Sequence, residues 1–170
     1  PTIISKFSLV TFKIADQSFD LLVLNEKEDL YEDYLRRDFT HSSLYFDLCT
    51  EQLIDYGNGN GISHIKKRET CTIIDPLVSL NKDIKRLFRA IRLTAKIDGD
   101  LEPTLAEVIN KKIIELRKTP AAEFSTLVPS TFLINELNKT INSGYAKKIF
   151  QHFFSANILD LFFPAIDTLK

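Results

Sequence analysis

The sequence predicts an α+β protein whose β structure lies in the first 70 residues and whose remainder is helical. Two runs of β-favouring residues, 7–14 and 19–24, flank a polar segment at 15–18 and predict an antiparallel hairpin. Beyond Asp75-Pro76, apolar residues recur at spacings of three and four, the period of amphipathic helices. We therefore expect one domain over residues 1–70 and an all-helical domain over residues 71–170.

Between the hairpin and the helical half, the sequence predicts one helix, one strand and one turn. The helix is expected to begin near Thr40, a favourable N-cap residue, and to continue towards residue 48. A strand is expected over residues 52–56. The glycine-rich segment 57–61 predicts a turn, since glycine and asparagine tolerate positive φ. Its spacing matches neither the dinucleotide fingerprint nor the Walker phosphate loop.

The helical half is predicted to contain four helices. The first covers residues 80–96, and the second begins at Thr104, which forms a capping box with Glu107, and ends before Pro120. The third covers residues 130–143 and is ended by Gly144, and the fourth covers residues 145–155. An apolar tail follows over residues 158–166.

Composition excludes several classes of protein. The 170 residues carry a formal net charge of -1, which argues against a uniformly basic nucleic-acid-binding protein. The two cysteines, Cys49 and Cys71, form no Cys-x-x-Cys pair, so neither a disulfide framework nor a zinc site is indicated. No apolar run reaches the roughly 18 residues of a membrane span, and we expect a soluble cytoplasmic protein. The three histidines, His41, His64 and His152, are scattered and are interpreted as structural or surface residues.

Basic residues are concentrated on the predicted helix 80–96, where Asp83 is the single acid. They are Lys82, Lys85, Arg86, Arg89, Arg92 and Lys96. At helical spacing they form a stripe opposite the apolar face, as expected of a surface that follows a phosphate backbone or binds a triphosphate. A solvated face neutralised by acids from elsewhere, such as those of residues 26–33, explains the same pattern equally well.

Two smaller groups combine carboxylates with guanidinium groups. Asp83 and Arg86 are three residues apart, so that they form either an ion pair within a helix or a donor and acceptor pair for a nucleobase edge. The segment Arg36-Arg37-Asp38 places two cations and one acceptor directly before the helix predicted at Thr40, a position suited to phosphate and ribose hydroxyls.

Three segments, taken together and in order, resemble one known family. RRDFTHSSLYFDL at 36–48 is similar to a family segment RRDFTINSLxYD, and KDIKRLFRAIRLTAKI at 82–97 is similar to EDPxRxLRAxRFAAKL. Residues 128–164, which end in LFFP, resemble the helical stretch that follows. The family is that of the bacterial poly(A) polymerases and CCA-adding tRNA nucleotidyltransferases, with the poly(A) polymerase branch the more similar.

The resemblance implies a partial nucleotidyltransferase head followed by a helical neck and body. It implies transfer of a nucleotide from ATP to an RNA 3′ end with Mg²⁺. Polyadenylation and CCA addition are not separated by these residues. The resemblance implies that Arg36, Arg37 and Asp38 bind the ribose and triphosphate, and that Asp20 binds metal and takes part in catalysis. It implies base contact by Asp83 and Arg86 and nucleotide contact by Arg89. The residues implied to contact RNA are Lys82, Lys85, Arg92 and Lys96.

The sequence also departs from the family pattern. The Gly-Gly-x-Val-Arg-Asp segment and the Asp-x-Asp metal ligands that follow it have no counterpart, and we expect them before Pro1, on the same or on a partner chain. Lys82, His64 and Phe132 stand where the pattern has Glu, Asp and Arg. The alternative hypothesis is a non-catalytic module that binds RNA or protein and reuses this scaffold.

Overall fold

The computed structural model describes residues 8–15, 17–23 and 29–163, and its contacts divide the chain into two compact units, Pro1–Arg36 and Arg37–Lys170. In the first unit, β1 (Ser8–Ile14) pairs antiparallel with β2 (Gln17–Val23). Helix α1 (Leu30–Arg36) follows. The predicted hairpin is confirmed, and Gln17 and Ser18, which were expected in the connection, belong to β2.

The helix predicted from Thr40 is wrong. The chain forms a short 3-10 helix, Thr40–Ser42, followed by β3 (Tyr45–Asp47), which pairs antiparallel with β4 (Gln52–Ile54). The hydroxyls of Ser42 and Ser43 donate to the carbonyl oxygen of Phe39 at 3.1 and 2.6 Å. Such side-chain bonds compete with the backbone bonds of a helix, and they account for the early end of this one.

The predicted glycine turn is confirmed over residues 57–59, whereas residues 60–61 begin a helix that was not predicted. Gly59 has a φ of +86°, and α2 (Asn60–Lys67) begins at the next residue. After α2, the strand β5 (Glu69–Thr70) pairs in parallel with β6 (Asp100–Leu101). This short pair connects the β-rich part of the second unit to the helices.

The single helix predicted over residues 80–96 is wrong, because two helices replace it. They are α3 (Pro76–Lys82), capped by the Asp75 side chain, and α4 (Arg86–Ile97). Asp83 has an extended conformation, and its carboxylate accepts a hydrogen bond from the backbone N–H of Lys85 at 3.1 Å. A carboxylate that binds the chain two residues onward favours a turn over a continuous helix.

The remaining helices agree with the prediction, apart from two additional helices and one cap. They are α5 (Pro103–Lys118), α6 (Ala121–Leu127), α7 (Ser130–Ile141), α8 (Ala146–Ser155) and α9 (Leu159–Phe162). Helix α6 was not predicted, and α9 lies in the segment that was predicted only as an apolar tail. Helix α5 begins with Pro103 and is capped by Glu102, whose carboxylate accepts from the N–H groups of Thr104 and Leu105. The predicted capping box at Thr104 is therefore wrong.

The core of the second unit lies between α4, α5 and α8. Phe88 on α4 meets Phe162 edge-on at 5.3 Å between ring centroids, and Phe162 stacks on Phe153 of α8 at 5.0 Å. Ile158, Leu161 and Phe162 of the apolar tail thus belong to the core, whereas Phe163 is exposed and residues 164–166 lie outside the described residues. The domain boundary at 70/71 stays a prediction. Across the described ranges, no helix has the length and hydropathy of a membrane span.

Candidate functional site

Asp38 joins two arginines of the first turn of α4. The Nε of Arg86 lies 2.8 Å from one carboxylate oxygen of Asp38, and the Nε of Arg89 lies 2.6 Å from the other. Residues three apart in a helix point to the same side, so both guanidinium groups reach one carboxylate. Asp38 therefore connects the segment after α1 to the start of α4.

Asp83 extends this group through Arg89. The Nη2 of Arg89 donates to Asp83 at 2.8 Å, while Lys85 Nζ lies 3.5 Å from the same carboxylate. Burial on its own raises the pKa of Asp83, but the hydrogen bond and charge of Arg89 outweigh it and hold this pKa below its usual value. Asp83 is therefore ionised at neutral pH and accepts hydrogen bonds only.

Ser79 positions Arg86, and the sequence analysis did not identify Ser79 as a site residue. The Nη1 of Arg86 donates to the Ser79 hydroxyl at 2.7 Å, and both residues are buried. Together these residues form an arginine–carboxylate cluster, which we define as Asp38, Ser79, Asp83, Arg86 and Arg89. The sequence feature that could have indicated Ser79 is its position as a polar residue within the apolar sequence Leu77-Val78-Ser79-Leu80.

The cluster is partly open to solvent. Side-chain exposure is 26% for Asp38, 28% for Asp83 and 21% for Arg89, against 10% for Arg86. The guanidinium of Arg89 also lies 6.0 Å from the ring centroid of Phe132 on α7. An acceptor, a planar donor and an aromatic ring thus lie side by side, the chemical features that bind a planar heterocycle.

The structure brings together some of the predicted site residues. Asp38, Asp83, Arg86 and Arg89 share one cluster, but Asp83 is bound by Arg89, and Asp38 is a partner of Arg86. This corrects the expectation of an isolated Asp83–Arg86 pair within one helix. The roles of these residues towards a nucleotide stay predictions.

Arg37 contacts Tyr45, whereas Arg36 and Asp20 belong to the first compact unit. The Nε of Arg37 donates to the Tyr45 hydroxyl at 3.1 Å, and its guanidinium lies 5.1 Å from the centroid of that ring. Arg36 belongs to the first unit, where it lies 3.6 Å from Glu32 of the same helix. Asp20 is on β2 opposite Thr11, and its side chain lies outside the described part of the chain.

The arginines of the basic stripe are paired with Asp83 of the same segment and with acids from two other segments. Arg92 binds Glu136 of α7 at 2.6 Å, and Glu136 is fully buried. The neutralising acids are Asp38, Asp83 and Glu136, and the alternative of a neutralised face accordingly describes Arg86, Arg89 and Arg92. Lys82 and Lys96 are exposed. RNA contact by Lys82, Lys85, Arg92 and Lys96 stays a prediction.

Mg²⁺ remains a cofactor that the resemblance implies. Among the described side chains, one group of three or more potential ligands lies close together, namely His64, Glu69 and Cys71. An imidazole and a thiol are not the oxygen ligands that Mg²⁺ takes. The described residues therefore offer no fit for a catalytic Mg²⁺ pair.

The two cysteines are expected to differ sharply in reactivity. Cys49 is exposed and Cys71 is buried, and burial, followed by the charge of Glu69, raises the pKa of the Cys71 thiol to about 12. Because the thiolate is the reactive form, alkylation of the native protein should modify Cys49 alone. Mass spectrometry should find one adduct per native chain and two after unfolding in denaturant. Two adducts formed at equal rates in the native protein would contradict this assignment.

The first part of the chain is similar in sequence to a known domain family. The sequence profile of the poly A polymerase head domain matches residues 3–71. Poly(A) polymerase I of Haemophilus influenzae is 29% identical over 135 residues, which cover 79% of this chain and 27% of that protein. The tRNA nucleotidyltransferase cca2 of Schizosaccharomyces pombe is 26% identical over 138 residues, 81% of this chain and 27% of that protein.

Solved structures share the fold. The crystal structure of a tRNA nucleotidyltransferase complexed with a primer tRNA and an incoming ATP analogue matches with a TM-score of 0.74 and 21% identity, over 94% of this chain and 46% of that one. A tRNA-processing enzyme in an apo form matches with a TM-score of 0.72 and 22% identity, over 92% of this chain and 43% of that one. The chain thus spans about a quarter of the length of the curated relatives and under half of these structures.

Proposed function

Because the chain belongs to the family of poly(A) polymerases and CCA-adding tRNA nucleotidyltransferases, we propose that its arginine–carboxylate cluster binds the base of a nucleoside triphosphate in an RNA 3′-end nucleotidyltransferase. One observation carries the proposal: Arg89 is held between Asp38 and Asp83 by an ion pair at 2.6 Å and a hydrogen bond at 2.8 Å. A guanidinium and a carboxylate that are already oriented lose little conformational entropy when a ligand binds.

The direction of the hydrogen bonds supports a nucleobase as the ligand. Asp83 accepts only, and Arg89 donates only, so that the pair complements an edge that presents one donor and one acceptor. Adenine and cytosine each present an exocyclic amino group beside a ring nitrogen, and both fit this description. Ser79 and Asp38 do not contact the base in this proposal. They hold Arg86 and Arg89 in place.

Arg37 is the candidate for the polar part of the nucleotide. It directly precedes Asp38, and its side chain is placed against Tyr45 on β3. A guanidinium binds phosphate oxygens in bidentate geometry. The nucleotide-binding role of Arg36 and the metal-binding role of Asp20 stay proposals that rest on the family resemblance alone.

Replacing Arg89 by lysine should weaken nucleotide binding at least about tenfold. Lysine keeps the charge but loses the planar fork that reaches Asp38 and Asp83 together. The dissociation constants of ATP and CTP, measured by calorimetry with the full chain, test this expectation. Asp83→Asn keeps the shape and converts one acceptor oxygen to a donor, so it should change the ratio of ATP to CTP affinity.

Arg68→Lys is the matched control for Arg89→Lys. Arg68 also pairs with an aspartate, Asp98, at 3.8 Å, but it is 63% exposed and lies outside the cluster. Its substitution should leave nucleotide affinity unchanged, and circular dichroism should show native helix content in all three variants. Equal ATP affinity of the Arg89→Lys and Arg68→Lys proteins would refute the assignment of the base site to this cluster.

A further inference from the structure

The end of α2 and the strand that follows it bring three different metal-binding side chains together. One ring nitrogen of His64, a carboxylate oxygen of Glu69 and the sulfur of Cys71 all lie within 4.8 Å of one another. His64 and Glu69 are half-buried, and Cys71 is buried. None of the three belongs to the arginine–carboxylate cluster, so a role for this second group of residues is independent of the proposed function.

Backbone geometry explains why the three side chains meet. Arg68 ends α2 in a left-handed conformation, with a φ of 55°, and turns the chain back on the helix. Glu69 and Cys71 are two residues apart in extended chain, so their side chains point to the same side. That side faces His64 in the last turn of α2. The sequence spacing, His-x4-Glu-x-Cys, is not a familiar zinc motif, so the sequence alone did not indicate a zinc site.

The distances suit a tetrahedral metal ion. Zn²⁺ bound to a thiolate at about 2.3 Å and to a carboxylate at about 2.1 Å holds the two ligand atoms about 3.6 Å apart. The Cys71 sulfur lies 3.7 Å from an oxygen of Glu69. The His64 ring nitrogen lies within 4.8 Å of both atoms and needs to approach by roughly an ångström.

The surroundings of His64 and Cys71 favour a cation. The hydroxyl of Thr40 lies 2.7 Å from Nδ1 of His64 and fixes the plane of the ring, as the outer partners of metal-binding histidines do. Glu102 adds a second carboxylate close enough to act on the Cys71 thiol. Because its oxygens cap α5, Glu102 contributes charge rather than a ligand atom.

We propose that His64, Glu69 and Cys71 bind one Zn²⁺ ion, with water in the fourth position. A nitrogen, an oxygen and a sulfur ligand select Zn²⁺ over the oxygen-binding Mg²⁺ and Ca²⁺. The ion would join α2 to β5 and hence to the β5–β6 pair. His64 stands where the family pattern has Asp, so the site is a property of this chain.

Co²⁺ titration of the reduced full chain tests the proposal. Tetrahedral Co²⁺ absorbs in the visible, and a bound thiolate adds a charge-transfer band in the near ultraviolet. We expect both signals to saturate at one ion per chain and Zn²⁺ to displace the Co²⁺. Cys71→Ala should abolish the charge-transfer band, while Cys49→Ala should retain it.

A second variant distinguishes loss of a metal ligand from loss of folding. Glu69→Gln keeps the volume and the thiol, and it should weaken Zn²⁺ binding at least about tenfold, measured by competition with a chromogenic chelator. His152 is not one of the three proposed ligands, so His152→Asn should leave the Zn²⁺ affinity unchanged. Absence of the charge-transfer band in the native chain, its persistence in Cys71→Ala, or unchanged Zn²⁺ affinity in Glu69→Gln would each overturn the proposal.

Discussion

Replacing Arg92 by methionine is expected to lower the free energy of unfolding by about 3–5 kcal/mol. Glu136 is fully buried, and Arg92, itself only 13% exposed, binds its carboxylate at 2.6 Å. The remaining partner is Lys139 at 3.1 Å, whose side chain is 58% exposed. Removal of Arg92 therefore leaves a buried carboxylate whose charge is compensated only from the solvent side.

Denaturant unfolding of three variants measures this effect. Lys139→Met removes the exposed partner of the same carboxylate and should cost less than about 1 kcal/mol. The double variant Arg92→Met/Glu136→Met removes both buried charges and should recover much of the lost stability, because an apolar pair of similar volume replaces the ion pair. A loss below about 1 kcal/mol for Arg92→Met alone would contradict this account.

This effect bears on functional tests of the basic stripe. Arg92 was predicted from the sequence to contact RNA, yet its guanidinium joins α4 to α7. Loss of RNA binding in an Arg92 variant would therefore accompany loss of folding. Lys82 and Lys96 are exposed and provide the better test, since their substitution leaves these ion pairs intact.

Replacing Gly99 by alanine is expected to cost more than about 2 kcal/mol of stability, or to prevent folding. A Cβ at this position would lie 1.6 Å from the carbonyl oxygen of Arg68. That oxygen accepts the N–H of Asp100 at 3.0 Å, a bond next to the β5–β6 pair. The obstacle is backbone rather than a flexible side chain, so the two segments must separate.

Gly59→Ala provides the comparison for Gly99→Ala. A Cβ on Gly59 would meet nothing within 4 Å, but the residue has a φ of +86°. Its substitution should therefore cost only the backbone strain of a left-handed residue, about 1 kcal/mol. Thermal unfolding of both variants separates steric overlap from strain. A Gly99→Ala protein as stable as the Gly59→Ala protein would show that the chain at Gly99 and the Arg68 carbonyl do not approach each other this closely.

Local sequence patterns determined most of the secondary structure. The hairpin, the glycine turn and helices α5, α7 and α8 follow from alternation, turn residues and three-to-four spacing, which act within a few residues. Two helix predictions, those from Thr40 and over residues 80–96, failed where a short-range side-chain bond competed with a helix. Ser43 does so after Phe39, and Asp83 does so between α3 and α4.

The partners of the charged residues were decided by tertiary structure alone. The sequence by itself placed Arg86, Arg89 and Arg92 on one helix near a single acid, and it indicated their chemistry and the family. Only the packing of the chain determined that Asp38 binds two of them and that Glu136, 44 residues from Arg92, binds the third. Helical periodicity specifies the face on which a side chain lies. The carboxylate that meets it there depends on how distant segments pack together, which no local pattern encodes.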